Sequence, residues 1–286
     1  MRDWPPGRDD LEYFTALLES RPSGSCVPSW DRRAELWARE GESKGGQRVS
    51  SAVAFLTQRG ALCPDYAVAD IGCGPGKFAA AFGARVRSVV GLDLSERMVA
   101  HGREYIRRQG LTNVDLRVCD FQTLDVDREG LRKAFDLVFS SLTPAVRGVD
   151  GLSKVMEMSR GFCCNVTHLY RHNRLRERMV REVFGREGGQ ELDGRWFYAL
   201  FNVLFLMGYC PETGYETRHQ ERLVRPDGEY VEFVMEHALT PEEQTMENAA
   251  RVLRWLEKNT DQEGMVREVT DSCYGTVFWD VRRRRG

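Results

Sequence analysis

Several features are scarce in this chain, and each absence narrows what it can be. No apolar run in its 286 residues approaches the roughly 18 residues of a membrane-spanning helix. The N-terminus, MRDWPPGRDD, lacks an apolar h-region, so a secretory signal is not expected. A basic surplus is missing too: the formal net charge is −2, a balance that weighs against a dedicated nucleic-acid binder. There is no internal repeat and no low-complexity tract, which removes solenoids and fibrous arrays. Lysine occurs only at Lys44, Lys77, Lys133, Lys154 and Lys258, so arginine supplies the other 36 of the 41 basic side chains. Arginine is the better bidentate partner of carboxylate or phosphate, although compositional bias on a solvated surface is the simpler account. The eight cysteines contain no CxxC pair and no Cys/His zinc spacing. Several sit in apolar runs, as Cys119, Cys163 and Cys164 do. Reduced, buried thiols in a cytoplasmic protein without a bound metal are the expectation.

What is present is enough apolar residue, 42% of the chain, to bury a sizeable core. Residues 1–60 read as a helical cap broken by prolines, with Trp30, Ala34 and Trp37 on one helix face. Residues 61–170 alternate short apolar runs with helical stretches. Strands are expected over 66–71, 88–94, 114–118, 135–140 and 162–169. This alternation implies βαβ units and a doubly wound, mostly parallel sheet of the α/β class. Residues 171–235 read as an insertion, or lid. Helices are expected over 175–184 and 196–207, then a hairpin whose arms, 215–224 and 229–235, flank Pro226-Asp227-Gly228. Residues 236–286 return to the core with a helix over 241–258 and a closing strand, or strand pair, over 266–269 and 274–281.

The sharpest local signal is Asp70-Ile71-Gly72-Cys73-Gly74-Pro75-Gly76, which follows a strand and precedes a helix. Glycines there permit a tight turn and close approach of a ligand to the backbone. A dinucleotide loop offers amide N–H groups and a helix N-terminus to a pyrophosphate. The Asp70 carboxylate would repel that anion and would suit an ammonium group. Asp93, ending the second strand in Val89-Val90-Gly91-Leu92-Asp93-Leu94-Ser95, can accept hydrogen bonds from both hydroxyls of a ribose. The two carboxylates together describe a nucleoside that carries an amino acid.

With these residues in view, the segment from about 66 to 145 resembles the class I S-adenosylmethionine-dependent methyltransferases. VADIGCGPG matches the family's first motif, VVGLDLS its second, LRVCDF its third and FDLVFSS its fourth. The resemblance implies a Rossmann-like seven-stranded sheet with the last strand antiparallel, and S-adenosyl-L-methionine as cofactor. It places Asp70, Gly72, Cys73 and Gly74 at the methionine portion, with Gly76 shaping the turn. It places Asp93 at the ribose, Leu94 beside the adenine, and Asp120 at the adenine amino group. Phe121 and Met98 fit an apolar wall and ordinary core packing alike. Ser140, Ser141 and Leu142 would end the fourth strand where cofactor and acceptor meet. The Trp30–Trp37 stretch resembles the helix that folds over the cofactor in many members, and Arg33 there is the preferred partner of the methionine carboxylate.

The chemistry leaves more open. A sulfonium methyl needs an aligned nucleophile and exclusion of water, and a general base only when the acceptor must lose a proton. His168, with Tyr170, is the candidate base because imidazole titrates near neutrality; a structural histidine is the competing reading. The fourth motif lacks the Asn/Asp-Pro-Pro-aromatic run of members that methylate amides or base amines. The resemblance therefore implies a methyltransferase acting on a small-molecule acceptor. Methylation of protein or RNA, or cofactor binding without catalysis, stand as alternatives, and a nicotinamide enzyme is disfavoured by Asp70. Nothing in the sequence fixes the acceptor atom or the oligomeric state.

Overall fold

A computed structural model of the chain describes residues 8–20, 45–187 and 194–285. The expectations for Trp30 and Arg33 lie outside the described residues. The chain divides into two compact units. One takes the chain up to Thr167, then Arg195–Gly214 and everything from Thr276; the other takes His168–Gly194 and Tyr215–Gly275.

The first unit holds the N-terminal helices α1 (Arg8–Glu19) and α2 (Gly45–Gln58) and an alternating run. That run is β1 (Ala67–Ile71), α3 (Lys77–Gly83), β2 (Ser88–Asp93), α4 (Glu96–Arg108), β3 (Val114–Val118), β4 (Phe135–Ser141) and α5 (Gly148–Met158). β5 (Ser159–Asn173) follows and runs into the second unit. All five residues of β1 are buried, as a strand flanked by sheet on both edges and helices on both faces requires. The seven strands lie in the order β3-β2-β1-β4-β5-β7-β6. The pairings β1–β2, β1–β4, β2–β3 and β4–β5 are all parallel. β7 (Val266–Asp280) runs against β5: Val281 N donates to Gly161 O at one end, and Asn173 Nδ2 donates to Glu268 at the other.

The core of this unit is aromatic. Phe139 is fully buried, with the Phe78 and Phe82 rings of α3 at 4.9 and 5.1 Å. The apolar helix expected as part of a lid, α7 (Arg195–Leu206), belongs to this unit instead. Tyr198 of α7 meets Phe14 of α1 edge to face at 5.2 Å. Glu19, at the end of α1, accepts a hydrogen bond from Val149 N at 2.8 Å. That carboxylate caps α5, whose own N-cap residue, Arg147, makes no side-chain cap.

The second unit packs α6 (Arg174–Phe184), α8 (Gly228–Ala238) and α9 (Met246–Glu257) around Leu175, Met179, Val234, Val252 and Leu256. One expectation is corrected here, and one alternative is decided. The hairpin around Pro226-Asp227-Gly228 does not form: β6 (Glu212–Val224) leads into helix α8. The Asp227 side chain accepts from Tyr230 N at 2.9 Å and is that helix's N-cap. Asp before Gly serves a turn and a helix start equally, and the buried set Tyr230, Val231, Val234 and Met235 has helical spacing. The 266–269 and 274–281 segments are one 15-residue strand, β7. It lies between β5 and β6, and α9 belongs to the second unit rather than the sheet core. Glu268 of β7, 2% exposed, pairs with Arg222 and accepts from Asn173 Nδ2 (2.8 Å) and Tyr230 Oη (3.0 Å). These donors hold its carboxyl below the ordinary glutamate range despite burial.

Replacing Phe139 by Ala empties the centre of the aromatic cluster and is expected to cost about 3–5 kcal/mol. Denaturant titration checks this; a midpoint unchanged from wild type would show that the cluster does not hold the first unit together.

Candidate active site

β1 connects outward to β2 on one side and β4 to β5 on the other, so the carboxyl ends of β1 and β4 meet at the switch point of the sheet. Open α/β sheets bind ligands in the crevice at such a point. A cavity of about 250 Å³ lies there. Gly72 and Gly74 after β1 line it, with Asp93 and Leu94 from the end of β2, and Asp120 and Phe121 after β3. Met98 of α4 and the stretch Ser141–Ala145 complete much of the wall.

The glycine turn is built against β2. Gly72 N and Cys73 N both donate to Leu92 O, at 2.7 and 3.1 Å. Gly72 has φ +68°, and a Cβ there would fall 2.1 Å from Thr143 Oγ1. Glycine is thus required at this position by conformation and by space. Asp93 holds two segments: Oδ2 accepts from Gly74 N at 2.8 Å and Oδ1 from Ser95 N at 2.9 Å. Ser95 caps α4, its Oγ accepting from Met98 N at 3.1 Å, and this seats the Met98 side chain on the wall. Asp120 folds back on its own loop, Oδ1 accepting from Gln122 N at 2.9 Å. Gln122 Nε2 donates to Ala145 O, which ties the loop after β3 to the stretch after β4.

The structure brings Gly72, Gly74, Asp93, Leu94, Met98, Asp120 and Phe121 to one cavity. Of the described candidates, Asp70, Cys73, Gly76, Ser140, His168 and Tyr170 do not line that cavity. Ser140 faces the other side of β4, where its Oγ accepts from Asn165 Nδ2 at 2.8 Å. Ser141, one residue on, lines the cavity, because neighbours on a strand point to opposite faces. Cys73 is buried, and its Sγ would stand 2.9 Å from a Cβ at Gly91. Burial, with Asp70 and Asp93 nearby, raises its pKa well above the ordinary thiol value, so it stays protonated and inert. Gly76 is the left-handed N-cap of α3 and not part of the wall.

Asp70 lies beneath the turn, 1% exposed. Gly76 has no side chain to cap α3, and the Ala79 N–H, three residues into that helix, faces the Asp70 carboxyl and favours its charged form. Asp70 is thus directed at the start of α3 and does not line the cavity. His168 and Tyr170 belong to the second unit, whereas every residue lining the cavity belongs to the first. The His168 ring packs on Tyr274 at 4.7 Å, and Tyr170 on His172 at 5.5 Å. Sequence reasoning missed Cys119, Gln122, Thr143, Pro144 and Arg147 as wall residues. Cys119 lies within the third motif and Gln122 directly follows it, so both were accessible on that ground; Arg147 carries no motif. Among the described residues no group of three or more His, Cys, Asp or Glu is placed to hold a metal ion, and no helix is long and apolar enough to cross a membrane.

Burial, and then the charge of Asp93, push the Asp70 carboxyl up to about 7, against the Ala79 N–H and Arg48. The folded protein keeps this proton to near pH 7, whereas the unfolded chain releases it near its ordinary value of 3.8. The resulting stability is full below that value and is lost as pH rises toward 7. An Asp70→Asn variant, which retains the acceptor for Ala79 N–H, is expected to gain on wild type steadily between pH 4 and 7. Denaturant midpoints across that range measure the gain; parallel pH profiles would remove the assignment.

Residues 68–160 match the family model described as a methyltransferase domain. A 95-residue stretch is 31% identical to the 23S rRNA (uracil(1939)-C(5))-methyltransferase RlmD of Alcanivorax borkumensis. The match covers 33% of this chain and 21% of that protein, so the chain spans about a fifth of this relative's length. Among solved structures, a protein of Bacillus halodurans C-125 solved as a candidate methyltransferase superposes with a TM-score of 0.51 at 17% identity. The superposition covers 81% of this chain and 99% of that one. The YcgJ protein of Bacillus subtilis gives 0.50 at 16% identity over 81% and 97%. At these identities the likeness is one of fold.

Proposed function

We propose that this protein, whose residues 68–160 match a methyltransferase domain, is a class I S-adenosylmethionine-dependent enzyme that transfers a methyl group from that cofactor to a small-molecule acceptor. The observation that carries the proposal is Asp93. Its carboxylate stands at the cavity wall at the end of β2, with each oxygen fixed by a backbone N–H. A carboxylate has about four acceptor sites, more than two backbone amides use, and so suits the paired hydroxyls of a ribose. The rest of the donor set fits a nucleoside. Leu94, Met98 and Phe121 offer apolar surface to a flat ring, and Asp120 has a second oxygen for an amino group. Open space lies over Gly74, where a Cβ would meet nothing within 4 Å.

When bound, the cofactor supplies a methyl group on a sulfonium, which needs no further activation. The chain's part is to hold the nucleoside and to align an acceptor in a confined site. The fixed carboxylate of Asp93 is preorganised for this, since two backbone amides set its orientation before any ligand arrives. A small acceptor agrees with the near-neutral charge balance. The RlmD similarity favours RNA as the second reading, and labelled methyl transfer into bulk RNA but not into a small-molecule extract would select it.

Titration calorimetry tests the cofactor. S-Adenosylmethionine and S-adenosylhomocysteine are expected to bind and NAD is not; binding of NAD alone would overturn the reading. Loss of two charge-assisted hydrogen bonds, about 1.5–3 kcal/mol each, is expected to weaken binding at least tenfold in Asp93→Ala, with folding checked by circular dichroism. Unchanged affinity would remove Asp93 from the site.

A further inference from the structure

We infer that Arg147 recognises a carboxylate or phosphate group on the methyl acceptor, so that the substrate is an anion. The inference rests on the methyltransferase reading and adds a substrate class to it. Among the described residues that line the cavity, Arg147 is the only cation. It is half-buried, and among the described residues its guanidinium has no hydrogen-bond or ion-pair partner. Elsewhere in the molecule arginines are matched by the chain's own carboxylates, as in Arg160–Asp136, Arg174–Asp271 and Arg267–Glu221. A guanidinium withdrawn partly from water with no partner is a cost to the folded state. Its planar fork suits the two oxygens of a carboxylate or phosphate.

The cavity's own acids do not meet this charge. Asp93 and Asp120 are turned to backbone amides of their own loops, and neither pairs with Arg147. The cofactor's carboxylate is not the natural partner either. The motif places the cofactor's amino-acid end at the glycine turn. From Thr143, which closes on Gly72, the backbone passes Ala145, whose carbonyl is held by Gln122, before it reaches Arg147. Arg147 is therefore rooted beyond the Gln122 contact, four residues past the Thr143 that closes on the turn. The same wall offers a second unspent group. Ser141 Oγ is buried and has no hydrogen-bond partner among the described residues. Between the two, Leu142 holds φ +53°, a left-handed conformation uncommon for leucine, and its N–H is fixed to Val166 O at 2.9 Å. Strain of this kind persists where surrounding structure enforces it and clusters at ligand sites.

The test uses the full chain saturated with S-adenosylhomocysteine and titrated with benzoate, phenyl phosphate and the neutral benzamide. At least one anion is expected to bind tenfold or more tightly than benzamide, and the tighter anion distinguishes carboxylate from phosphate. Arg147→Gln is expected to abolish this preference while its affinity for S-adenosylhomocysteine stays within threefold of wild type. Arg147→Lys should restore part of the preference. The inference is overturned if the wild type shows no preference for an anion, or if Arg147→Gln retains it. It is also overturned if Arg147→Gln loses S-adenosylhomocysteine, since the side chain then serves the cofactor. Failure of the wild type to bind S-adenosylhomocysteine at all would instead bring down the methyltransferase reading.

Discussion

The carboxylate of Asp93 ties the glycine turn to the start of α4 by accepting from Gly74 N and Ser95 N. Much of the cavity depends on that tie. It sets the height of the turn over β2, and through Ser95 it sets the first turn of α4 and hence Met98. A second carboxylate, Asp70, supports the turn from beneath by serving α3, whose Gly76 cap has no side chain. The two acids lie close enough for each charge to matter to the other, and burial decides between them. Asp93 is the more solvated of the two, and the buried Asp70 holds its proton to higher pH. One acid is thus suited to hold polar ligand groups and the other to hold the protein.

The parallel half of the sheet was legible in the sequence because its signals are local. Short apolar runs separated by helical stretches mark β1 to β4, and the glycine turn marks the switch point. Asp93, Leu94, Asp120 and Phe121 could be found because each follows a strand end, where open sheets present their ligand-binding residues. The misplacements have equally physical causes. Ser140 and Ser141 differ by one step on a strand, and only the register with Asn165 tells which faces the cavity. Asp70 is buried beneath the turn and does not line the cavity, a placement that charge and motif position do not reveal. Cys73 and Gly76 share a motif with the wall residues but serve the turn's interior.

The second unit was harder to read because its assignments depend on distant partners. Pro-Asp-Gly fits a hairpin and a helix cap alike, and β6 has its true partner in β7, more than forty residues on. The apolar segment of α7 looked like a lid because nothing in its sequence names α1 as its neighbour. Phe14 and Tyr198, which meet at 5.2 Å, are separated by most of the first unit's sequence. Arg147 was invisible for a related reason. It has no motif, and its interest comes from what surrounds it: a cavity wall with no other cation among the described residues, and acids already engaged.

The position of α1 has a consequence for synthesis of the chain. This helix is made well before its partners, Val149 at the start of α5 and Tyr198 of α7. At about 5–20 residues per second, α1 must wait on the order of ten seconds or more before both exist. The sheet shows the same delay. β7, made after β5 and β6, takes its place between them, so the β5 edge stays unpaired until β7 is available. An open edge of this kind invites pairing with other chains. A nascent chain of this topology is therefore most exposed to mispairing just before its final strand arrives.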